Sequence, residues 1–288
     1  MTAEPIRYST IISTQDLNDH LEDARWAIVD CRFDLLNPSF GFQDYQIGHI
    51  PGAVYAHLND DLSSKVTPET GRHPLPDPAE LVAKFSHWGI DKETRVVVYD
   101  TAGGSFAVRL WWLLKRLGHP AVAVLDGGLQ KWTAEDRSLR SGIETRPAAV
   151  FEGSVQPGWV ANAEEVEAIR NDAGFRLIDA RSPARFWGEE EPIDPVAGHI
   201  PGAVNRFHGD NLNAQGTFKS PEALREEFSQ LLSGISPEKA VVYCGSGVTS
   251  LHHLLAMEIA GLPGARVYAG SWSEWIRDPR RARSTCVD

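Results

Sequence analysis

Much of this chain is written twice. The heptapeptide GHIPGAV occupies residues 48–54 and returns at 198–204, an offset of 150. Around it, IVDCR ending at Arg32 matches LIDAR ending at Arg181, and VVVYD ending at Asp100 matches AVVYC ending at Cys244. LDGGLQKW ending at Trp132 likewise matches YAGSWSEW ending at Trp275. The blocks keep their order, so the repeating unit is a whole domain, far longer than the roughly 20–50 residues of a solenoid repeat. At about 150 residues per domain, a chain of 288 has room for two. Residues 141–157 hold Gly142, Pro147, Gly153 and Pro157 with little apolar periodicity, as a linker does. The expected organisation is one domain over 1–140, a linker over 141–157 and a second domain over 158–288.

Inside each half, short β-branched runs alternate with longer helical patterns. AIVD (27–30), RVVVYD (95–100) and AVAVLD (121–126) are bounded by polar residues or glycine, as buried parallel strands are. In AVRLWWLLKRLG, Val108, Trp111, Trp112, Leu114 and Leu117 share a core-facing stripe and Gly118 supplies the stop; TSLHHLLAMEIAG, ending at Gly261, is its counterpart. The predicted class is α/β, with a parallel sheet flanked by helices in each half. Ligands of such sheets bind beyond the carboxyl ends of the strands, which directs attention to the residues just after VVYD and VVYC.

Composition narrows the partners. A formal charge of −11 leaves few Lys and Arg clusters for a nucleic-acid backbone. No apolar run approaches the roughly 18 residues of a membrane span, and the first twenty residues lack the apolar core of a secretory signal, so the expected location is cytoplasmic, with neither nucleic acid nor membrane as partner. Cys31, Cys244 and Cys286 are odd in number and form no CxxC pair, which suits neither a disulfide framework nor a zinc site.

A duplicated chain carries its own control, because matched residues serve the shared fold and an unmatched reactive residue needs another reason. His49 and His199, Arg32 and Arg181, and Trp132 and Trp275 are matched pairs and read as structural. The sharpest difference is Asp100 in the first copy against Cys244 in the second. After Cys244 comes GSGVTSLHHLL, a glycine-punctuated turn running into a helix, where backbone N–H groups and the helix start converge on an anion. A thiol there is expected to ionise near neutrality, since the ordinary value of about 8.5 falls at helix N-termini. Cys31 faces Ala180 in the other copy and Cys286 lies in the tail, so neither is given a catalytic role.

The strand followed by CGSGVTS, the two GHIPGAV boxes and the paired LDGGLQKW and YAGSWSEW segments together resemble the tandem-domain rhodanese superfamily, over nearly the whole chain. The CGSGVT loop is most similar to that of 3-mercaptopyruvate sulfurtransferases, because thiosulfate-type rhodaneses usually carry a basic residue inside it. The resemblance implies an N-terminal domain without a catalytic cysteine and a C-terminal catalytic domain. It also implies ping-pong sulfur transfer through a Cys244 persulfide, with no metal or organic cofactor. The donor would be a small anion, 3-mercaptopyruvate or, as runner-up, thiosulfate, and the acceptor cyanide, a thiol or a thioredoxin-like protein. The backbone of Gly245, Gly247, Val248 and Thr249 would hold the anionic sulfur. Arg185 matches a substrate-binding arginine, and the first copy has Leu36 at that place. Mercaptopyruvate enzymes commonly carry a second arginine in a segment like EPRDG, whereas this chain reads EPID with Ile193 there.

The first copy has an addition of its own. His49 to Pro78 spans 29 residues and His199 to Pro221 spans 22, so the first copy is longer within the polar loop DDLSSKVTPETGRHPLPDP. That loop holds His73, and the resemblance implies a Ser-His-Asp relay of Ser246, His73 and an aspartate. The aspartate position falls on Asn59, followed at once by Asp60 and Asp61, so a slip of one residue is needed to complete it.

Two rivals remain in view. A cysteine phosphatase needs C-x5-R, and the fifth residue after Cys244 is Ser250. A non-enzymatic persulfide carrier would hold sulfur without turning over small donors. A zinc site at His252 and His253 is disfavoured because adjacent helical residues point in different directions, and GSG is too short for a dinucleotide fingerprint.

Overall fold

The computed structural model describes residues 8–285; Cys286 lies outside them. The chain divides into two compact units. One comprises residues up to Ser63, Pro76–Gln156 and Ala214–Thr217; the other comprises Ser64–Leu75, Pro157–Asn213 and the chain from Phe218 onward. The segment Ser64–Leu75, part of the first copy by sequence, thus belongs to the second unit.

Each unit is built on one parallel five-stranded sheet, and the two sheets share a topology. The first contains β1 (Ile11–Ile12), β2 (Trp26–Asp30), β3 (Ala53–Tyr55), β4 (Arg95–Tyr99) and β5 (Val122–Leu125), in the order β1-β5-β4-β2-β3. The second contains β6 (Val160–Ala161), β7 (Arg176–Asp179), β8 (Val204–Asn205), β9 (Ala240–Tyr243) and β10 (Arg266–Tyr268), in the order β6-β10-β9-β7-β8. In the centre of the second sheet Val242 pairs with Ile178 on one side and Val267 on the other. Strands buried on both faces must be apolar throughout, which is why VVV and AVVY carry no alternation.

The helices sit where the sequence pattern puts them, with one difference. Ala107–Arg116 ends at Leu117 and is followed by Gly118 at φ +87°, and Leu251–Ile259 precedes Gly261 at φ +70°. The predicted stripe on the first helix is too narrow, because every residue from Ala107 to Leu114 is buried, Arg109 included. Arg109 is satisfied inside by donating Nε–H to the Leu62 carbonyl at 3.1 Å. No described helix is long and apolar enough to cross a membrane.

The matched residues occupy matched places in each core. Trp132 and Trp275 are fully buried and donate their indole N–H to Ser138 and Ala282 carbonyls, both at 2.9 Å. Arg32 bonds Asp30 and the Gly48 carbonyl, and Arg181 bonds Asp179 and the Gly198 carbonyl. His49 stacks on Tyr45 and His199 on Phe186, each with Nδ1 at 2.8 Å from that residue's own carbonyl. These buried polar groups are paired in the same way twice, as a fold requirement would have it.

Candidate active site

Cys244 leaves the carboxyl end of β9 and enters a loop over 245–250 that starts the helix Leu251–Ile259. Its backbone is pinned from the loop after β10. The Cys244 N–H donates to Ser271 Oγ at 3.1 Å, that hydroxyl donates to the Tyr268 carbonyl at 2.9 Å, and the Cys244 carbonyl accepts from Trp272 N–H at 3.0 Å. Ser271 holds φ +55°, where its counterpart in the first copy is Gly128 at φ +57°. A serine in that left-handed conformation is strained, and the two hydrogen bonds of its hydroxyl offset the strain. Gly247, at φ +74°, turns the loop so close to Ala269 that a Cβ would collide with that carbonyl oxygen.

The turn aims donors at the sulfur. Gly247 N–H donates to Cys244 Sγ at 3.2 Å. Burial pushes the thiol up, but the Thr249 hydroxyl, the Ser246 N–H, and the hydroxyl and N–H of Ser250 outweigh it and hold Cys244 below its ordinary value. Cys31 is the contrast. Burial, then the charges of Asp30, Asp100 and Asp61, raise its thiol far above the ordinary range, so it stays protonated. Neither cysteine is in a disulfide.

The first copy shows what the same turn does without a cysteine. The Asp100 carboxylate takes the place of the thiol and accepts four backbone N–H groups, from Ala102 (2.7 Å), Gly104 (2.9 Å), Phe106 (2.8 Å) and Ala107 (2.9 Å). The same turn thus aims backbone N–H groups at the Asp100 carboxyl oxygens in the first unit and at the Cys244 sulfur in the second.

The segment Ser64–Leu75 brings two more residues to the Cys244 loop. It is closed by Ser64 N–H to the Pro74 carbonyl at 3.0 Å. Gly71 lies against Gly270 and Ser273 so tightly that a Cβ would stand 2.5 Å from the Gly270 oxygen. Arg72 N–H donates to Ser273 Oγ at 3.1 Å, and Ser273 N–H donates to the Gly245 carbonyl at 2.9 Å. His73 is then buried with Nδ1 at 2.7 Å from Ser246 Oγ. Arg185 lies after β7 in the short helix Pro183–Phe186 and bonds Glu191 with Nε at 3.1 Å and Nη2 at 2.6 Å. Asp194 bonds both Arg185 Nη2, at 3.1 Å, and Arg72 Nη1.

Of the predicted site residues, Cys244, Gly245, Ser246, Gly247, Val248 and Thr249 form the loop itself, and His73 and Arg185 meet it. Asp60 and Asp61 are engaged elsewhere, within the first unit. The Asp61 carboxylate accepts His57 N–H at 2.7 Å and pairs with Lys84, while Asp60, with an 81% exposed side chain, pairs with His57. His252 and His253 do not point apart as expected, because the Asn211 amide Nδ2 stands 3.0 Å from Nδ1 of each. Arg72, Asp194, Glu191, Ser271 and Ser273 were not singled out by sequence reasoning. Only Ser271 left a signal there, as a serine replacing the repeat's glycine.

The chain is similar to known proteins over nearly its whole length. A Pseudomonas aeruginosa protein described as a probable 3-mercaptopyruvate sulfurtransferase is 47% identical over 277 residues, covering 96% of this chain and 98% of that one. A mouse thiosulfate sulfurtransferase is 31% identical, covering 94% and 93%. The crystal structure of an Escherichia coli 3-mercaptopyruvate sulfotransferase matches with a TM-score of 0.79 at 31% identity, over 92% of this chain and 99% of that one. The family model of the rhodanese-like domain matches residues 13–135 and again 162–278, so the chain belongs to the rhodanese-like domain family and carries the domain in tandem.

Proposed function

We propose that the protein is a sulfurtransferase that takes sulfur from 3-mercaptopyruvate and delivers it to a thiophilic acceptor. The observation that carries this reading is the placement of Cys244 just beyond β9, where its Sγ accepts Gly247 N–H at 3.2 Å in a turn whose amides and hydroxyls favour the thiolate. The thiolate attacks the donor sulfur, the donor's carbon–sulfur bond breaks with its electron pair, and the enolate of pyruvate departs and is protonated. Cys244 then carries an anionic persulfide. A cyanide ion, a small thiol or a thioredoxin-like protein attacks the outer sulfur, the sulfur–sulfur bond breaks, and the thiolate is restored. The backbone of Gly245, Gly247, Val248 and Thr249 serves the negative sulfur in both states. The 2.7 Å contact of Ser246 and His73 supports a proton path to the enolate. The free cysteines suit a reducing compartment, and we assign the protein to the cytoplasm.

Thiosulfate is the second reading, supported by Ile193 at the place of an expected arginine. The test is mass spectrometry of protein incubated with each donor, alongside steady-state rates. The expected result is one additional sulfur atom on Cys244 and a higher kcat/KM for mercaptopyruvate. A thiosulfate preference would reverse the donor assignment, and no sulfur on Cys244 from either compound would end the proposal. Asp60→Asn and Asp61→Asn test the aspartate that the resemblance implies, and an unchanged kcat with mercaptopyruvate in both would remove it from the relay.

A further inference from the structure

The main chain that carries His73 is tied to the nucleophile's loop through one residue. Ser273 lies in the short helix Ser271–Trp275 and is buried. Its N–H donates to the Gly245 carbonyl at 2.9 Å, and its Oγ accepts Arg72 N–H at 3.1 Å. The hydroxyl itself donates to the Gly270 carbonyl at 3.4 Å, which turns the oxygen's lone pairs to the Arg72 amide. Ser273 thus bonds both the residue that follows Cys244 and the residue that precedes His73.

Gly71 completes the seat. A Cβ there would stand 2.5 Å from the Gly270 oxygen and 2.8 Å from Ser273 Oγ, so the backbone of the Ser64–Leu75 segment rests directly on this turn. Two other ties, Arg72 to Asp194 and His73 to Ser246, run through rotatable side chains. The bond at the Arg72 amide instead fixes the main chain from which the His73 imidazole spans to Ser246 Oγ.

The duplication supplies a control. Matching LDGGLQKW with YAGSWSEW sets Gln130 opposite Ser273, and matching Asp100 with Cys244 sets Thr101 opposite Gly245. In the first unit the exposed Gln130 side chain turns back and donates to the Thr101 carbonyl. In the second unit the backbone N–H of Ser273 makes the matching link to Gly245, and its side chain is given to the segment. A side chain as long as glutamine would run into Gly71.

We propose that Ser273 is a positioning residue of the sulfur transfer, whose hydroxyl seats the Ser64–Leu75 segment on the Cys244 loop and so holds the His73 imidazole on Ser246. The role rests on the sulfurtransferase reading and deepens it. Ser273 acts through His73 on the protonation of the departing enolate, and not on the thiolate.

The test compares the parent protein with Ser273→Ala in three measurements: amide hydrogen exchange over residues 64–75, kcat with mercaptopyruvate, and the rate of Cys244 alkylation by iodoacetamide. Loss of the hydroxyl is expected to speed exchange in the segment about tenfold and to lower kcat about tenfold. Alkylation consumes the thiolate and needs no proton donor, so its rate should stay within about twofold of the parent. Gly71→Ala presses on the same contact from the other side and should reproduce this pattern. The double variant should lose less than the product of the two single losses, because both break one contact. Parent-like exchange or parent-like kcat in both folded single variants would overturn the proposal. So would alkylation that slows in step with kcat, since the hydroxyl would then serve the nucleophile's own loop. If the parent does not turn over mercaptopyruvate, the donor reading fails, and the exchange measurement alone decides whether Ser273 seats the segment.

Discussion

Removing the Thr249 hydroxyl tests the electrostatics of the nucleophile directly. Burial alone would drive the Cys244 thiol upward, and hydrogen bonds, led by that of Thr249, bring it below its ordinary value. A hydrogen bond to a charged group is worth about 1.5–3 kcal/mol net, and one pKa unit corresponds to about 1.4 kcal/mol. Thr249→Val should therefore raise the thiol by about one to two units, with the remaining donors intact. On the acid side of the titration, each unit removes about nine-tenths of the thiolate and slows its attack about tenfold. The assay is the ultraviolet absorbance of the thiolate against pH, read as the difference between the protein and its Cys244→Ser form. Burial raises five of the six tyrosines, Tyr45, Tyr55, Tyr99, Tyr243 and Tyr268, which keeps phenolate absorbance out of the window. Stability follows with a definite sign. The folded-state value of Cys244 is depressed, so its contribution is complete above the unfolded thiol's value of about 8.5 and is lost as pH falls through the folded value. Thr249→Val should flatten that part of the stability profile. A parent midpoint at or above the ordinary thiol value, or a Thr249→Val midpoint that does not move, would refute the reasoning.

Other outcomes rest on the same geometry. Cys244→Ser should abolish transfer, whereas Cys31→Ser should leave the rate nearly unchanged, as donor turnover with the two variants would show. Ser246→Ala and His73→Gln should slow transfer from mercaptopyruvate far more than from thiosulfate, since an enolate needs a proton on leaving and sulfite does not; equal losses with both donors would remove the relay. Ser271→Ala should lower stability by about 1–2 kcal/mol in denaturant unfolding, because it loses two hydrogen bonds and keeps the positive φ. Ser271→Gly removes that backbone strain and should cost less.

The parts of this molecule that repeat were legible from sequence, and the parts that do not were legible only in proportion to their chemistry. Alternating apolar runs gave the sheets, and the paired blocks gave two copies of one topology. Cys244 stood out because its partner position is Asp100. Arg72 did not, because an arginine in a polar loop reads as solvated, and only folding carries it to Gly245, which lies 173 positions away. Asp194 and Glu191 were hidden for a related reason. An acidic run gives no hint of which arginines it will hold. The helix Ala107–Arg116 shows only a core-facing stripe in sequence although every residue from Ala107 to Leu114 is buried, because the carbonyl of Leu62 that Arg109 bonds is brought to it only by folding.

The carboxylate of Asp100 bears on how one half of a tandem protein can fall silent. Its four amide contacts leave the turn no vacancy for an incoming ion, so the first unit is occupied from within. With the proposed chemistry confined to the second unit, the first keeps the same turn and fills it with its own side chain, so its amides are already satisfied where an anion would otherwise bind.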